Sequence, residues 1–140
     1  MWRDRIFWAF IGAGVIFWAA LLGVSVPAWN PAWPLAEPSI FLRLAIGYPV
    51  LEEIIFRGAL QPWLARRLPV LNGPVSSANL AASGLFMAMH FYSHPPLWAV
   101  SVFIPSLVFG YFRDRHNSLQ APMALHVFYN TGYYWIFDGR

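Results

Sequence analysis

Long runs of apolar residues, separated by short polar stretches, make up most of this chain. A helix that spans a bilayer needs about 20 mostly apolar residues, and five runs reach or approach that length. They cover residues 6–26, 39–65, 75–92, 97–112 and 118–137. The connecting stretches are rich in proline, arginine and other polar residues, as is typical of interfacial loops and turns. The pattern predicts an all-α polytopic membrane protein, a bundle of about five transmembrane helices forming one domain over residues 1–140.

The first run raises an alternative, because a cleavable signal peptide also begins with basic residues and continues into an apolar stretch. Arg3 and Arg5 precede residues 6–26. That run is longer than the roughly 7–15 apolar residues of a signal peptide. The length favours a span that is kept.

The arginines predict the direction in which the helices cross the membrane. With five spans, successive loops lie on alternating sides, and six of the arginines then fall on the same side. These six are Arg3, Arg5, Arg66, Arg67, Arg113 and Arg115. Because loops rich in arginine stay in the cytoplasm, the N-terminus is expected inside and the C-terminus outside.

Composition excludes several classes of protein. Hydrophobic residues account for 59% of the chain and charged residues for 11%, against about 45–50% and about 25% in soluble domains. A soluble fold would expose much of that apolar surface, and disorder requires low hydrophobicity. The absence of cysteine excludes disulfides and cysteine-ligated zinc. A net charge of +3 is too small to indicate nucleic acid as a partner, and the apolar composition makes the lipid bilayer the expected partner. The oligomeric state is left open.

Three charged residues lie close together in the middle of the second run, where burial of charge is costly and usually functional. Glu53 and Arg57 are four residues apart with the acid first, the favourable arrangement for an ion pair on a helix. Glu52 points about 100° away from that pair and is a candidate general acid or base. Pro49 lies just before them and predicts a kink there, as Pro105 does in the fourth run.

Two further runs carry polar residues at the helical spacing of four. Phe86 and His90 lie in the third run, and His126 and Asn130 in the fifth. A single membrane histidine is most often an interhelical hydrogen-bonding residue. Two histidines, an asparagine and a glutamate on three spans together indicate one shared site.

Small residues recur on the third run at helical spacing and predict the face by which it packs. They are Ser77, Ala81, Gly84 and Ala88. Such stripes let helix backbones approach closely in a membrane. Phe86 and His90 lie roughly on the opposite face.

These polar elements, taken in order, resemble a known family. The chain carries EExxxR (Glu52, Glu53, Arg57), FxxxH (Phe86, His90) and HxxxN (His126, Asn130). They are similar to the motifs of the CPBP, or Abi, intramembrane proteases, which include the type II CAAX prenyl endopeptidases. The similarity covers about residues 45–135. Each element alone is weak evidence, whereas three in order on three predicted spans are specific.

The resemblance implies that a glutamate-activated water hydrolyses a peptide bond within the membrane. Glu52 matches the catalytic glutamate, and His90 matches its partner in activating water. His126 and Asn130 match the pair that binds the oxyanion. The adjacent acid and the arginine of the first motif match supporting residues. The implied substrate is a membrane-anchored protein or peptide, cleaved at a C-terminal segment or a CAAX-like sequence. The implied location is a prokaryotic cytoplasmic (inner) membrane.

Other interpretations stay open at this point. Glu52, His90 and His126 are also a possible zinc-ligand set, but they lack the local HExxH spacing that identifies such sites. Mainly because the family resemblance implies a metal-free mechanism, we expect no cofactor. A non-catalytic membrane scaffold or immunity protein that keeps the motifs is a second alternative. A small transporter or proton relay is a third, although no internal repeat of the kind that transporters carry is visible.

Overall fold

The computed structural model describes residues 1–24, 30–71 and 73–138, and within these ranges the chain is helical with no β-strand. The α-helices are α1 (Arg5–Val24), α2 (Trp33–Ala36), α3 (Pro38–Leu42), α4 (Tyr48–Glu53), α5 (Gln61–Ala65), α6 (Ser77–His90), α7 (Pro96–Ser101), α8 (Phe103–His116) and α9 (Gln120–Phe137). Two π-helical segments, Arg43–Gly47 and Ile54–Leu60, join α3 to α4 and α4 to α5. Residues 38–65 therefore form one uninterrupted helical run. The predicted all-α class is confirmed.

The helices differ from the predicted runs in several details. The short helix α2 lies inside the connecting stretch 27–38, which is predicted as a loop. Residues 27–29 of that stretch and residues 25–26 of the first run lie outside the described ranges. The fourth run is divided at Val102, so Pro105 falls in the first turn of α8. A proline there removes no intrahelical hydrogen bond, because the first N–H groups of a helix lack partners in any case.

Two of the described helices are long and apolar enough to cross a membrane. They are Arg5–Val24 and the combined α7–α8 helix Pro96–His116. The count of about five spans and the orientation of the termini stay predictions.

The chain divides into two compact units. The first combines Met1–Leu51 with Ala124–Arg140, and the second is Glu52–Met123. The expectation of a single domain likewise stays a prediction.

Within the first unit, α1 and α9 pack closely and run in the same direction. A Cβ added at Gly14 would lie 2.6 Å from the Tyr129 ring, and the Trp18 indole covers Gly132 in the same way. The Tyr129 hydroxyl donates to the Phe10 carbonyl at 2.8 Å. Residues later in α1 contact residues later in α9, so the two helices are parallel. Glycine is required at both contacts because a side chain there would collide with an aromatic ring.

In the first unit, the start of the helical run 38–65 packs against α9, and the two run in opposite directions. The fully buried Trp33, just before that run, donates from Nε1 to the Tyr134 carbonyl at 2.9 Å. Further along the run, the Leu44 carbonyl accepts from Asn130. Numbers rise on one helix as they fall on the other, so the pair is antiparallel.

Within the second unit, the buried face of α6 is not the predicted stripe of small residues. The buried residues are Ala78, Asn79, Ala82, Ser83 and Phe86. A Cβ added at Gly84 would meet nothing within 4 Å, whereas the close approach is made by Gly110 of α8, which lies against the Asn79 amide. Asn79 also donates to the Leu107 carbonyl at 2.9 Å. The stripe prediction is wrong because buried polar contacts, rather than small size, determine this face.

Candidate active site

The predicted ion pair of Glu53 and Arg57 is confirmed, and it is completely buried. The Arg57 Nη1 lies 3.2 Å from the Glu53 carboxylate, and neither side chain is exposed. Arg57 Nη2 donates to the carbonyl of Ser106 at 2.7 Å and contacts its hydroxyl at 2.5 Å. The guanidinium also lies over the rings of Phe86 and Phe109, at 5.0 and 5.5 Å from their centroids. The pair therefore anchors the helical run to α8 and α6.

Gln61 continues this row of buried polar residues one turn further on, a role that the sequence analysis missed. Its Nε2 donates to the Gly110 carbonyl at 3.0 Å and to the Asp114 carboxylate at 2.7 Å. The other oxygen of Asp114 accepts from the Ser76 hydroxyl at 2.7 Å. The spacing of four between Glu53, Arg57 and Gln61 was the available indication, since it puts all three on one helix face.

These bonds define how the three helices of the second unit run. Arg57 bonds to Ser106, and Gln61 bonds to Gly110. Four residues forward on one helix match four residues forward on the other, so the helical run and α8 are parallel. The start of α6 reaches the Gln61 end through Asp114, and α6 is therefore antiparallel to both.

Glu52 and His90 each lie about one helical turn away from a ring contact between the helical run and α6, and both lie in the same direction from it. The rings of Phe56 and Phe86 meet edge to face, with centroids 5.1 Å apart. Glu52 precedes Phe56 by four residues, and His90 follows Phe86 by four. Because the two helices are antiparallel, both steps lead about one turn in the same direction. Both side chains are partly exposed.

The hydrogen bond of His90 determines which ring nitrogen can accept a proton. His90 Nδ1 lies 2.8 Å from the Phe86 carbonyl. A carbonyl only accepts, so Nδ1 carries the hydrogen and, in the neutral ring, Nε2 carries the lone pair. The Phe86 ring, 4.5 Å from the imidazole between centroids, adds a second contact that limits its rotation. This arrangement suits proton transfer through Nε2.

The predicted distortion at Pro49 takes the form of the first π-helical segment. The Tyr48 N–H bonds five residues back, to the Arg43 carbonyl. The next carbonyl in that register belongs to Leu44 and faces Pro49, which has no N–H to donate. Asn130 Nδ2 supplies the missing hydrogen bond, at 3.2 Å. One of the two amide hydrogens of Asn130 is thus used by the backbone, and this bond orients the carboxamide.

The four predicted catalytic residues fall in pairs into the two units. Glu52 and His90 belong to the second unit, and His126 and Asn130 to the first. His126 is 5% exposed and lies one turn before Asn130 on α9. Among the described residues, no three His, Asp or Glu side chains are grouped so that they could hold a metal ion.

Comparison with known proteins adds a family. The family model described as type II CAAX prenyl endopeptidase Rce1-like matches residues 31–132. This range covers well over half of the chain and includes all of the EExxxR, FxxxH and HxxxN residues. No curated protein and no solved structure matches the chain.

Proposed function

The chain belongs to the Rce1-like family of type II CAAX prenyl endopeptidases, and on that premise we propose that it is an intramembrane endopeptidase that cleaves a membrane-associated protein or peptide. The observation that carries the proposal is the family match, because it extends across all three polar elements. The family is a membrane-embedded protease family. The long apolar helices Arg5–Val24 and Pro96–His116 agree with a membrane location.

In the proposed reaction, Glu52 and His90 activate water. Glu52 removes a proton from the water while the water oxygen attacks the carbonyl carbon of the peptide bond. The carbon–nitrogen bond then breaks, and the proton passes to the leaving amine, which balances the hydrolysis. The Nδ1 bond to Phe86 supports this role, because it leaves Nε2 of His90 as the nitrogen that exchanges protons. General acid–base catalysis of this kind contributes about 10²- to 10⁴-fold in rate.

His126 and Asn130 stabilise the oxyanion in this proposal. An imidazole N–H and a carboxamide N–H are suitable donors for the negative charge of a tetrahedral intermediate. The bond from Asn130 to the Leu44 carbonyl supports the assignment, since a carboxamide oriented in advance pays no reorganisation cost during the reaction. The second amide hydrogen of Asn130 is the one assigned to the oxyanion.

We assign the protein to a prokaryotic inner membrane, with about five spans and the N-terminus in the cytoplasm. The helix directions found within each unit support the alternation that such a topology requires. The proposed substrate is a C-terminal segment or a CAAX-like sequence of a membrane-anchored protein, as the family description suggests.

The test compares the C-terminal peptides of membrane proteins in cells that express wild type, Glu52→Gln or Glu37→Gln. Glu37 is exposed and lies outside the three motif elements, so Glu37→Gln is a matched control for loss of one carboxylate. We expect at least one protein to keep its terminal segment in Glu52→Gln cells alone. Identical termini in all three strains, at equal expression, would contradict proteolysis and support a scaffold or immunity role.

A further inference from the structure

We propose that Arg113 is a positioning residue for this proteolysis, because it supplies the backbone hydrogen bond that Pro62 removes from the helix carrying Glu52. The inference rests on the proposed function. From the sequence, Arg113 is predicted only to be one of the arginines that keep a loop in the cytoplasm.

The second π-helical segment leaves one carbonyl without a partner inside the helix. The Gln61 N–H bonds five residues back, to the Phe56 carbonyl. In the same register the next carbonyl, that of Arg57, faces Pro62, which has no N–H. A buried carbonyl without a hydrogen bond is costly, so this position requires a donor from elsewhere.

Arg113 of α8 is that donor. Its Nε lies 2.9 Å from the Arg57 carbonyl, and its Nη1 donates to the Asn117 side chain at 2.8 Å. Asn117 ends α8 in the left-handed conformation, with φ 47°, a conformation for which glycine and asparagine are the usual residues. Asparagine, unlike glycine, also offers the oxygen that holds the guanidinium in place.

The arrangement repeats the one at Pro49. There too a proline leaves a carbonyl of a π-helical segment without its donor, and a side chain from another helix, Asn130, supplies it. The two π-helical segments lie on either side of α4, which carries Glu52. Each departure from α-helical geometry is therefore stabilised by a specific side chain.

Arg113 holds the same residue that anchors the motif. The Arg57 side chain donates to α8 at Ser106, while α8 donates back to the Arg57 backbone through Arg113. One bond runs from each helix to the other. Together they fix the position of the Glu52 helix along α8 and its rotation about its own axis. Glu52 lies five residues earlier on that helix, so a change of register at Arg57 changes the direction of its carboxylate.

The experiment separates this role from the positive charge. Arg113→Lys keeps the charge but loses the forked guanidinium that bonds two acceptors at once. Arg67→Lys is the matched control, because the Arg67 guanidinium donates to a carbonyl of its own turn, that of Trp63 at 3.2 Å, and lies over the ring of the same residue. We expect Arg113→Lys to lower kcat about tenfold with KM within about twofold, since misplacement of a catalytic group by 1 Å can cost about 100-fold. The control is expected to retain wild-type kcat.

A second substitution makes the test specific to Pro62. Pro62→Ala restores a backbone N–H, so in that background Arg113→Lys should lower kcat by less than about twofold. Hydrogen exchange of the Ile54–Leu60 amides gives a readout without activity, and we expect Arg113→Lys to accelerate it relative to wild type and Arg67→Lys.

Three results would overturn the inference. They are an unchanged kcat in Arg113→Lys, an equal loss of kcat with and without Pro62, and unchanged exchange of the Ile54–Leu60 amides. The proposed function itself fails if wild type does not cleave in the same assay, or if Glu52→Gln cleaves as well as wild type. Cleavage that depends on Glu52 but not on Arg113 refutes only the positioning role.

Discussion

The buried pair of Glu53 and Arg57 allows a quantitative test of how the motif stabilises the protein. The perturbations are Glu53→Gln, Arg57→Met and the combination of the two. Both side chains are fully buried at 3.2 Å, and removal of one partner from such a pair costs about 3–5 kcal/mol. Arg57→Met should lie at the upper end, because it also removes the charged hydrogen bond to the Ser106 carbonyl at 2.7 Å, a class of interaction that contributes about 1.5–3 kcal/mol.

The double substitution distinguishes a coupled pair from two independent residues. Once one partner is gone, removal of the other no longer leaves a buried charge without its counterion. The combined cost should therefore fall below the sum of the single costs by about 1–3 kcal/mol, within the range found for contacting residues. The assay is reversible unfolding in mixed micelles, with Glu37→Gln as the exposed carboxylate control. Additive costs, or single costs below about 1 kcal/mol, would refute the reasoning.

Three further outcomes are expected. His90→Asn should keep the bond to the Phe86 carbonyl and hence the unfolding temperature, yet lower kcat by about 10²-fold or more because no Nε2 is left; normal turnover would exclude His90 from proton transfer. Gly110→Ala should destabilise the protein by about 1–3 kcal/mol through overpacking against Asn79, whereas Gly84→Ala, with open space around it, should not; equal effects of the two in thermal unfolding would contradict the packing described for α6. Cleavage should continue after treatment with a zinc chelator, and a loss that added zinc restores would favour the metal-dependent alternative.

The features that were predictable from sequence are those set by neighbouring residues. The Glu53–Arg57 pair follows from a spacing of four on one helix, whatever the rest of the fold. The distortion near Pro49 follows from a missing N–H, and the ranges of the long helices follow from runs of apolar residues. The motif that led to the family also depends only on order and spacing.

The features that the sequence predicted wrongly or missed have one common cause, which is contact between residues distant in sequence. The stripe of small residues on α6 has the spacing of a packing face, yet the buried face is decided by Asn79 and its partner Leu107 on α8. Likewise, Gln61 is one polar residue among many until its bonds to Gly110 and Asp114 are known. Spacing shows which residues share a helix face, but not which face meets a neighbour.

The sequence by itself determined the all-α class, the membrane character and the family, and it supplied the candidate residues of the proposed chemistry, because hydrophobic runs and short motifs are local properties. The tertiary structure alone decided what Arg113 and Asn130 do. Pro62 and Pro49 remove donors that the helix cannot replace from its own backbone, and only the packing of α8 and α9 determines which side chains reach the two carbonyls. An arginine predicted as a topological charge thereby becomes a hydrogen-bonding partner of the helix that carries Glu52.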